Sequence, residues 1–440
     1  MSLRTERGSE RKTRRTNRKS ATRKERKIVS DCRLVEEAHS DRIPLLGPTI
    51  GSARESPALF RNVEARVDKS EVRALTGLRG IAAFMVGVYH LNPELIVRSP
   101  FAIGKLIGKG YLWVDLFFTL SGFVLALNYA HRFADGCSIA AWRDFLVRRI
   151  ARIFPLYAVG TLAGAAILAY RNTAAAAALV MPTHHSPFTM ALANLLMIQS
   201  WGIGRSIDGT AWSLSAEWAA YLVFPILAGM ALFSGRRTAV FVTLAAISAA
   251  ALTVLLTAHD REIHRGPLDA YDGATGEPLL RCLAGFLLGL LAYRVAVKSQ
   301  RRAWLSGDIA AGASLALLFA GLAAGFYDLL VFSLFPLVVL ALFLNRGYVG
   351  RVVGCQLLHW LGTISYSIYL IHPYLVEPKK VLAARLLVYV PDVASDVSAS
   401  IIAYGTLFLV SALAYRCIEV PGRHVVMRLC AGLRSPKAHR

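Results

Sequence analysis

Residues 110 to 129 read GYLWVDLFFTLSGFVLALNY, twenty positions carrying one charge, Asp115. An apolar run of about 18 residues or more is long enough to cross a ~30 Å hydrocarbon core as a helix. A strand reading fails, because the two-residue alternation that a membrane barrel requires is absent. The surrounding chain repeats the pattern near 74–92, 150–171, 211–233, 238–257, 278–297, 307–325, 328–345, 357–376 and 398–418. With 440 residues, 55% of them hydrophobic and 18% charged, the composition is too apolar for an ordinary soluble enzyme. The expected fold is all-α: a polytopic transmembrane helical bundle of about ten spans over residues 74–422, with the lipid bilayer as its solvent. The stretch 188–202 is apolar but short, and reads as an interfacial or partly inserted segment.

Charge sets the expected topology. The net charge is +22, and residues 1–27 hold twelve Lys or Arg against three Glu. Such a segment has no apolar periodicity with which to build a core, so a disordered basic tail is expected, running through a linker to residue 73. No aromatic residues interleave with its charges, so nucleic acid is not an expected partner; the anionic inner face of a membrane is. No apolar core follows the tail before residue 74, so it is not a signal peptide. Basic residues cluster again in 131–149, 234–237, 298–306 and 346–356 and in a second tail, 423–440. The positive-inside rule then places both termini and these loops in the cytoplasm, in a multi-pass protein of a bacterial-type inner (plasma) membrane.

The first span contains RGIAAFMVGVYH, from Arg79 to His90. Eleven steps of about 100° come to three turns and about 20°, so both cations share one helix face, roughly 16 Å apart along the axis. Ionisable groups inside a membrane helix are costly unless they face a protein or water-filled interior. The same depth argument brings Asp115, Ser215, Glu217 and His372 toward the outer end with His90, and sets Ser121 deeper. Arg148, Arg149 and Arg152 gather at the inner end of the third span. A neutral imidazole held by a carboxylate can take a proton from an attacking hydroxyl. Guanidinium groups match phosphate oxygens. The pattern fits an acyl group passed from a cytosolic acyl-CoA to a hydroxyl presented from outside. A proton-coupled transporter would use intramembrane Asp, Glu and His nearly as well.

Five motifs in order then bear on the choice: Arg79 to His90; VDLFFTLSGF from Val114 to Phe123; RRIARIFPLY from Arg148 to Tyr157; WSLSAEW from Trp212 to Trp218; and SYSIYLIHP from Ser365 to Pro373. Together they resemble the acyltransferase-3 family of membrane-bound O-acyltransferases over roughly residues 74–422, including a closing IEVPGR in which Val420 stands where the family is often basic. The resemblance implies transfer of an acetyl or other short acyl group from acyl-CoA, most simply acetyl-CoA, to a hydroxyl of a surface or exported carbohydrate or glycolipid. Some members modify lipids, antibiotics or small molecules instead. Polysaccharide assembly machinery is an implied partner, and acyl-CoA is a co-substrate rather than a bound cofactor.

Carried onto this sequence, the resemblance makes His90 the expected general base, with Asp115 or Glu217 orienting it. Arg79, Arg148, Arg149 and Arg152 are expected to hold the acyl-CoA phosphates, and Ser121, Ser215 and His372 are acceptor-side candidates. No metal is expected, since His131, His184, His185, His259 and His264 sit in loops without ligand spacing. The six cysteines form no paired spacing, and disulfides are not expected. No Cys or Ser stands out as an activated nucleophile, so direct transfer is preferred over an acyl-enzyme.

Overall fold

The computed structural model describes residues 69–171, 187–257, 266–271, 275–299, 304 and 306–432. The expected basic tail and linker up to residue 68, the loop histidines 184, 185, 259 and 264, and the C-terminal tail from 433 lie outside that set. Among the described residues there is no strand; helices joined by turns and short irregular segments make up the chain.

In chain order the main helices are α1 (Lys69–Leu91), α2 (Trp113–Tyr129), α3 (Ile139–Arg171), α4 (Trp212–Leu222), α5 (Phe224–Leu232), α6 (Arg236–Thr257) and α7 (Glu277–Ser299). There follow α8 (Asp308–Ala324), α9 (Asp328–Leu344), α10 (Gln356–Thr363), α11 (Ser365–Ile371), α12 (Pro373–Leu386), α13 (Asp392–Ala414) and α14 (Val420–Gly432). Among the described residues, six helical stretches are long and apolar enough to cross a membrane: 72–91, 110–133, 139–170, 236–257, 277–299 and 392–430. A seventh is available if α4 and α5, bent by 67° at their junction, count as one span.

The expected count of ten is therefore not met by helix length, and the reason is local. α8 and α9 are 17 residues each. The apolar window 357–376 is divided among α10, α11 and α12, with breaks at Ile364 and His372. Pro373, which has no N–H to donate and restricts the residue before it, sits at the second break. A hydropathy window reads composition and is blind to such breaks. The short stretch at 188–202 contains the helix Pro187–Leu195, nine residues followed by turns, far below the ~20 residues of a spanning helix.

α2 is the central helix. It packs chiefly on α7, and also touches α1 and α9. Its residues Asp115, Thr119 and Gly122 recur at i, i+4 and i+7 and face α7. A Cβ added to Gly122 would lie 2.1 Å from the Phe286 carbonyl oxygen, and one added to Gly289 would lie 2.1 Å from the Thr119 carbonyl oxygen. Small residues on both helices thus let the backbones touch, as membrane helix pairs commonly require. At the Asp115 end this contact is stapled by charge. Arg281 of α7 donates from Nε to Oδ1 and from Nη2 to Oδ2 of Asp115, both at 2.8 Å. Its Nη1 and Nη2 also donate to the carbonyls of Ala270 (3.1 Å) and Tyr111 (2.8 Å) respectively. Both side chains are fully buried, and every charged atom has a partner, which is what makes burial of such a pair tolerable.

Candidate active site

The opposite face of α2 lines a cavity of about 130 Å³. Val114, Phe117, Phe118, Ser121, Val124 and Leu125 contribute from this helix, spaced at three and four residues as one helical face requires. Val114 and Leu125 are eleven positions apart, so the cavity follows α2 for roughly 16 Å. Arg149 and Arg152 of α3 line it, as do Arg79 of α1, Ser213, Glu217 and Tyr221 of α4, and Ser365, Tyr366 and Tyr369 of α11.

One end of the cavity is cationic. Arg149 donates from Nη2 to the Tyr129 hydroxyl (2.9 Å), while its buried Nε has no partner. Arg152 donates from Nη1 to Oε1 of Glu419, whose other oxygen accepts from the Ser367 hydroxyl at 3.1 Å. Glu419 closes a π-helical turn, Tyr415–Glu419; such single turns recur at functional sites because they re-aim one side chain out of helical register. Arg79 lies within electrostatic reach of Arg152, Glu217 and Glu419. Arg148 is not among the lining residues: its Nε is held by Asp144 (2.9 Å), which also accepts from Arg132 (2.6 Å).

The histidines form a separate cluster. His90, in the last turn of α1, has Nδ1 at 3.0 Å from the Val86 carbonyl. His372, at the break between α11 and α12, has Nδ1 at 3.2 Å from the Ile368 carbonyl. Between the rings, His372 Nε2 lies 3.3 Å from His90 Nδ1. A carbonyl oxygen accepts and never donates, so each Nδ1 carries its proton. His372 Nε2 is then an acceptor facing His90, and the basic nitrogen of neutral His90 is Nε2. His372 is fully buried, and His90 is partly exposed.

Tyr369 joins the two regions. It lines the cavity, and its ring centroid is 5.8 Å from that of His372. Its hydroxyl shares a 2.7 Å hydrogen bond with Ser213 Oγ and donates to the Thr210 carbonyl at 3.1 Å. Pro373, four residues on, cannot donate to the Tyr369 carbonyl; the Thr210 hydroxyl does so instead, at 3.3 Å.

Of the expected site residues, the structure brings His90 together with His372, and Arg79 with Arg149, Arg152, Glu217 and Ser121. It does not bring Asp115 to His90 as an orienting carboxylate, because both oxygens of Asp115 are occupied by Arg281. Glu217 lies in the arginine-lined cavity, with Oε1 buried and unpartnered, rather than beside the histidines. Ser215 faces the turn before α4, its hydroxyl accepting from the Ser200 backbone N–H at 3.0 Å. Arg281 and Glu419 were missed. The signal for Arg281 was a cation four residues into an apolar helix, a placement that membrane energetics make costly without a partner.

The chain is 33% identical over 162 residues to the acyltransferase MdmB of Streptomyces mycarofaciens, covering 35% of this chain and 38% of that one. Over 392 residues it is 23% identical to the peptidoglycan O-acetyltransferase OatA of Listeria monocytogenes, covering 81% of this chain and 57% of the relative. The chain thus spans between 38% and 57% of the length of these relatives. No solved structure matches it significantly. The acyltransferase-domain family Acyl_transf_3 matches residues 72–416, which run from the first turn of α1 through α13, and the protein therefore belongs to that family of membrane acyltransferases.

Proposed function

We propose that this protein is an integral membrane O-acyltransferase that moves a short acyl group from acyl-CoA, bound at the arginine end of the cavity, to a hydroxyl of a carbohydrate acceptor at the histidine end. The observation that carries the reading is the adjacency of the two regions: Arg149 and Arg152 share a cavity with Tyr369, the Tyr369 ring neighbours His372, and His372 touches His90. Phosphates suit the guanidinium groups. Two orphaned atoms suit the rest of the donor: Glu217 Oε1 lacks a donor and Arg149 Nε–H lacks an acceptor, and the amides of a pantetheine arm carry one N–H and one C=O each.

In this reading, His90 Nε2 takes the proton of the acceptor hydroxyl as its oxygen attacks the thioester carbonyl. The new C–O bond forms, the C–S bond breaks, and the imidazolium returns the proton to the departing thiolate. His372 positions the ring: its Nε2 lone pair and the Val86 carbonyl share the one proton on His90 Nδ1 and so keep Nε2 basic. The carbohydrate assignment draws on the printed name of OatA, a peptidoglycan O-acetyltransferase. The orientation draws on the basic loops, with the arginine end and both termini toward the cytoplasm of an inner membrane.

The test is reconstitution in vesicles with acetyl-CoA and a glycan acceptor, reading free-thiol release and ester formation together. His90→Ala is expected to lose both by roughly 10²–10⁴-fold; ester formation at the wild-type rate in a folded His90→Ala protein would overturn the base assignment.

A further inference from the structure

On the side of the histidine pair, the cavity ends against two aromatic rings. At the end of the cavity remote from Arg149 and Arg152, the lining changes to Val114, Phe117, Ser213 and Tyr369. The rings of Phe117 and Tyr369 meet edge to face, with centroids 6.0 Å apart at 69°. Beyond Tyr369 lies His372, and then His90. Tyr369 has no room to swing: it is 6% exposed, its hydroxyl is tied to Ser213 and Thr210, and its carbonyl is tied to Thr210.

We propose that Tyr369 and Phe117 form the end wall that sets the length of acyl chain this enzyme accepts. The inference rests on the donor assignment above. A donor whose phosphates sit at the arginines must direct its thioester along α2 toward this wall, because the cavity is elongated in that direction. The carbonyl carbon has to stop where His90 can deliver a hydroxyl to it, so whatever extends beyond that carbon meets two aromatic rings. One methyl group leaves the rings where they are; each further methylene needs space that the locked Tyr369 does not yield. Phe117 is the softer side of the wall, since it is only partly buried and held by packing alone. The remaining chemistry is unchanged: one C–O bond made, one C–S bond broken, and the proton carried by His90 to the thiolate.

The experiment compares kcat/KM for acetyl-, propionyl-, butyryl- and hexanoyl-CoA in the reconstituted full chain. One methylene in an apolar pocket discriminates by roughly 10–200-fold. Phe117→Ala is therefore expected to move the butyryl-to-acetyl ratio upward by at least about tenfold. Tyr369→Leu should move it in the same direction, while Leu125→Ala, at the arginine end, should leave the ratio where it was. Thermal unfolding of each purified variant separates a changed wall from a misfolded protein. An unchanged ratio in folded Phe117→Ala and Tyr369→Leu would overturn the wall while leaving the donor assignment intact. No thiol release by the wild-type protein from any of the four thioesters would overturn the donor assignment, and the wall with it.

Discussion

His372 Nε2 approaches His90 Nδ1 to 3.3 Å across 282 positions of sequence, which sets a second imidazole against the expected base. A neutral acceptor fixes the tautomer without adding a negative charge beside the ring. His372→Ala is expected to lower kcat by roughly 10²-fold or more while leaving KM for the acyl donor within a few-fold, as loss of tautomer control does in hydrolytic triads. His372→Gln, which can still present an acceptor, should recover part of the loss. Steady-state kinetics on the three proteins check this, and equal rates in wild type and His372→Ala would remove His372 from the mechanism.

Arg149 and Arg152 are expected to act on donor binding. Each charge-assisted hydrogen bond is worth roughly 1.5–3 kcal/mol, so Arg149→Ala and Arg152→Ala should each raise KM for acyl-CoA by about 10–100-fold. Arg148→Ala should do much less, because Arg148 is spent on Asp144 outside the cavity. Donor titration at saturating acceptor distinguishes the three.

Asp115 and Arg281 are predicted to matter for stability first. Removing one member of a buried pair leaves the other charge uncompensated, at a cost of roughly 3–5 kcal/mol. Asp115→Ala and Arg281→Ala should each lower the unfolding midpoint of the detergent-solubilised protein sharply. The double change Asp115→Leu with Arg281→Met should be milder than the sum of the single changes. Additive losses would show that the two side chains do not interact as the geometry indicates.

Acid is expected to loosen the loop after α1. Glu94 accepts from Lys379 at 2.5 Å and from Asn92 at 3.0 Å. Burial pushes its carboxyl upward, but the bonds from Lys379, its own backbone and Asn92 outweigh this and hold it below its ordinary value of 4.5. A lowered carboxyl contributes stability that is present above the unfolded value and lost as pH falls through the folded one. Unfolding midpoints measured between about pH 3 and pH 6 should fall on the acid side in wild type. The fall should be shallower in Glu94→Gln; parallel curves would remove Glu94 as its source.

Much of the bundle was legible in sequence because long apolar helices announce themselves by composition alone. The breaks were harder to see. Pro373 and Pro225 interrupt stretches whose mean hydropathy is undisturbed, and whether a proline kinks, ends or divides a span depends on what accepts the freed carbonyls. The expectation that His90 and His372 share one level agrees with their 3.3 Å approach, yet a shared level does not give the direction in which a side chain points. Asp115 and Gly122 lie seven residues apart on one face, and a face that carries glycine is a packing face; that spacing points Asp115 at α7. Ser213, Glu217 and Tyr221 likewise recur every four residues, a polar stripe that assigns Glu217 to the cavity. Arg281 could be found as a costly cation but not paired with Asp115, since a contact across 166 positions leaves no local trace. Glu419 is aimed by a π turn, which no helical periodicity predicts.

The contact at Gly122 reaches further than the two helices it joins. α2 is a partition, with α7 pressed against one side and the cavity along the other. Because no side chain stands at 122, α2 sits as far from the arginines of α3 as the backbone of α7 allows. The bore of the cavity is therefore set on the side of α2 that no substrate reaches, and a methyl group added there would be felt as a narrower passage on the far side of the helix.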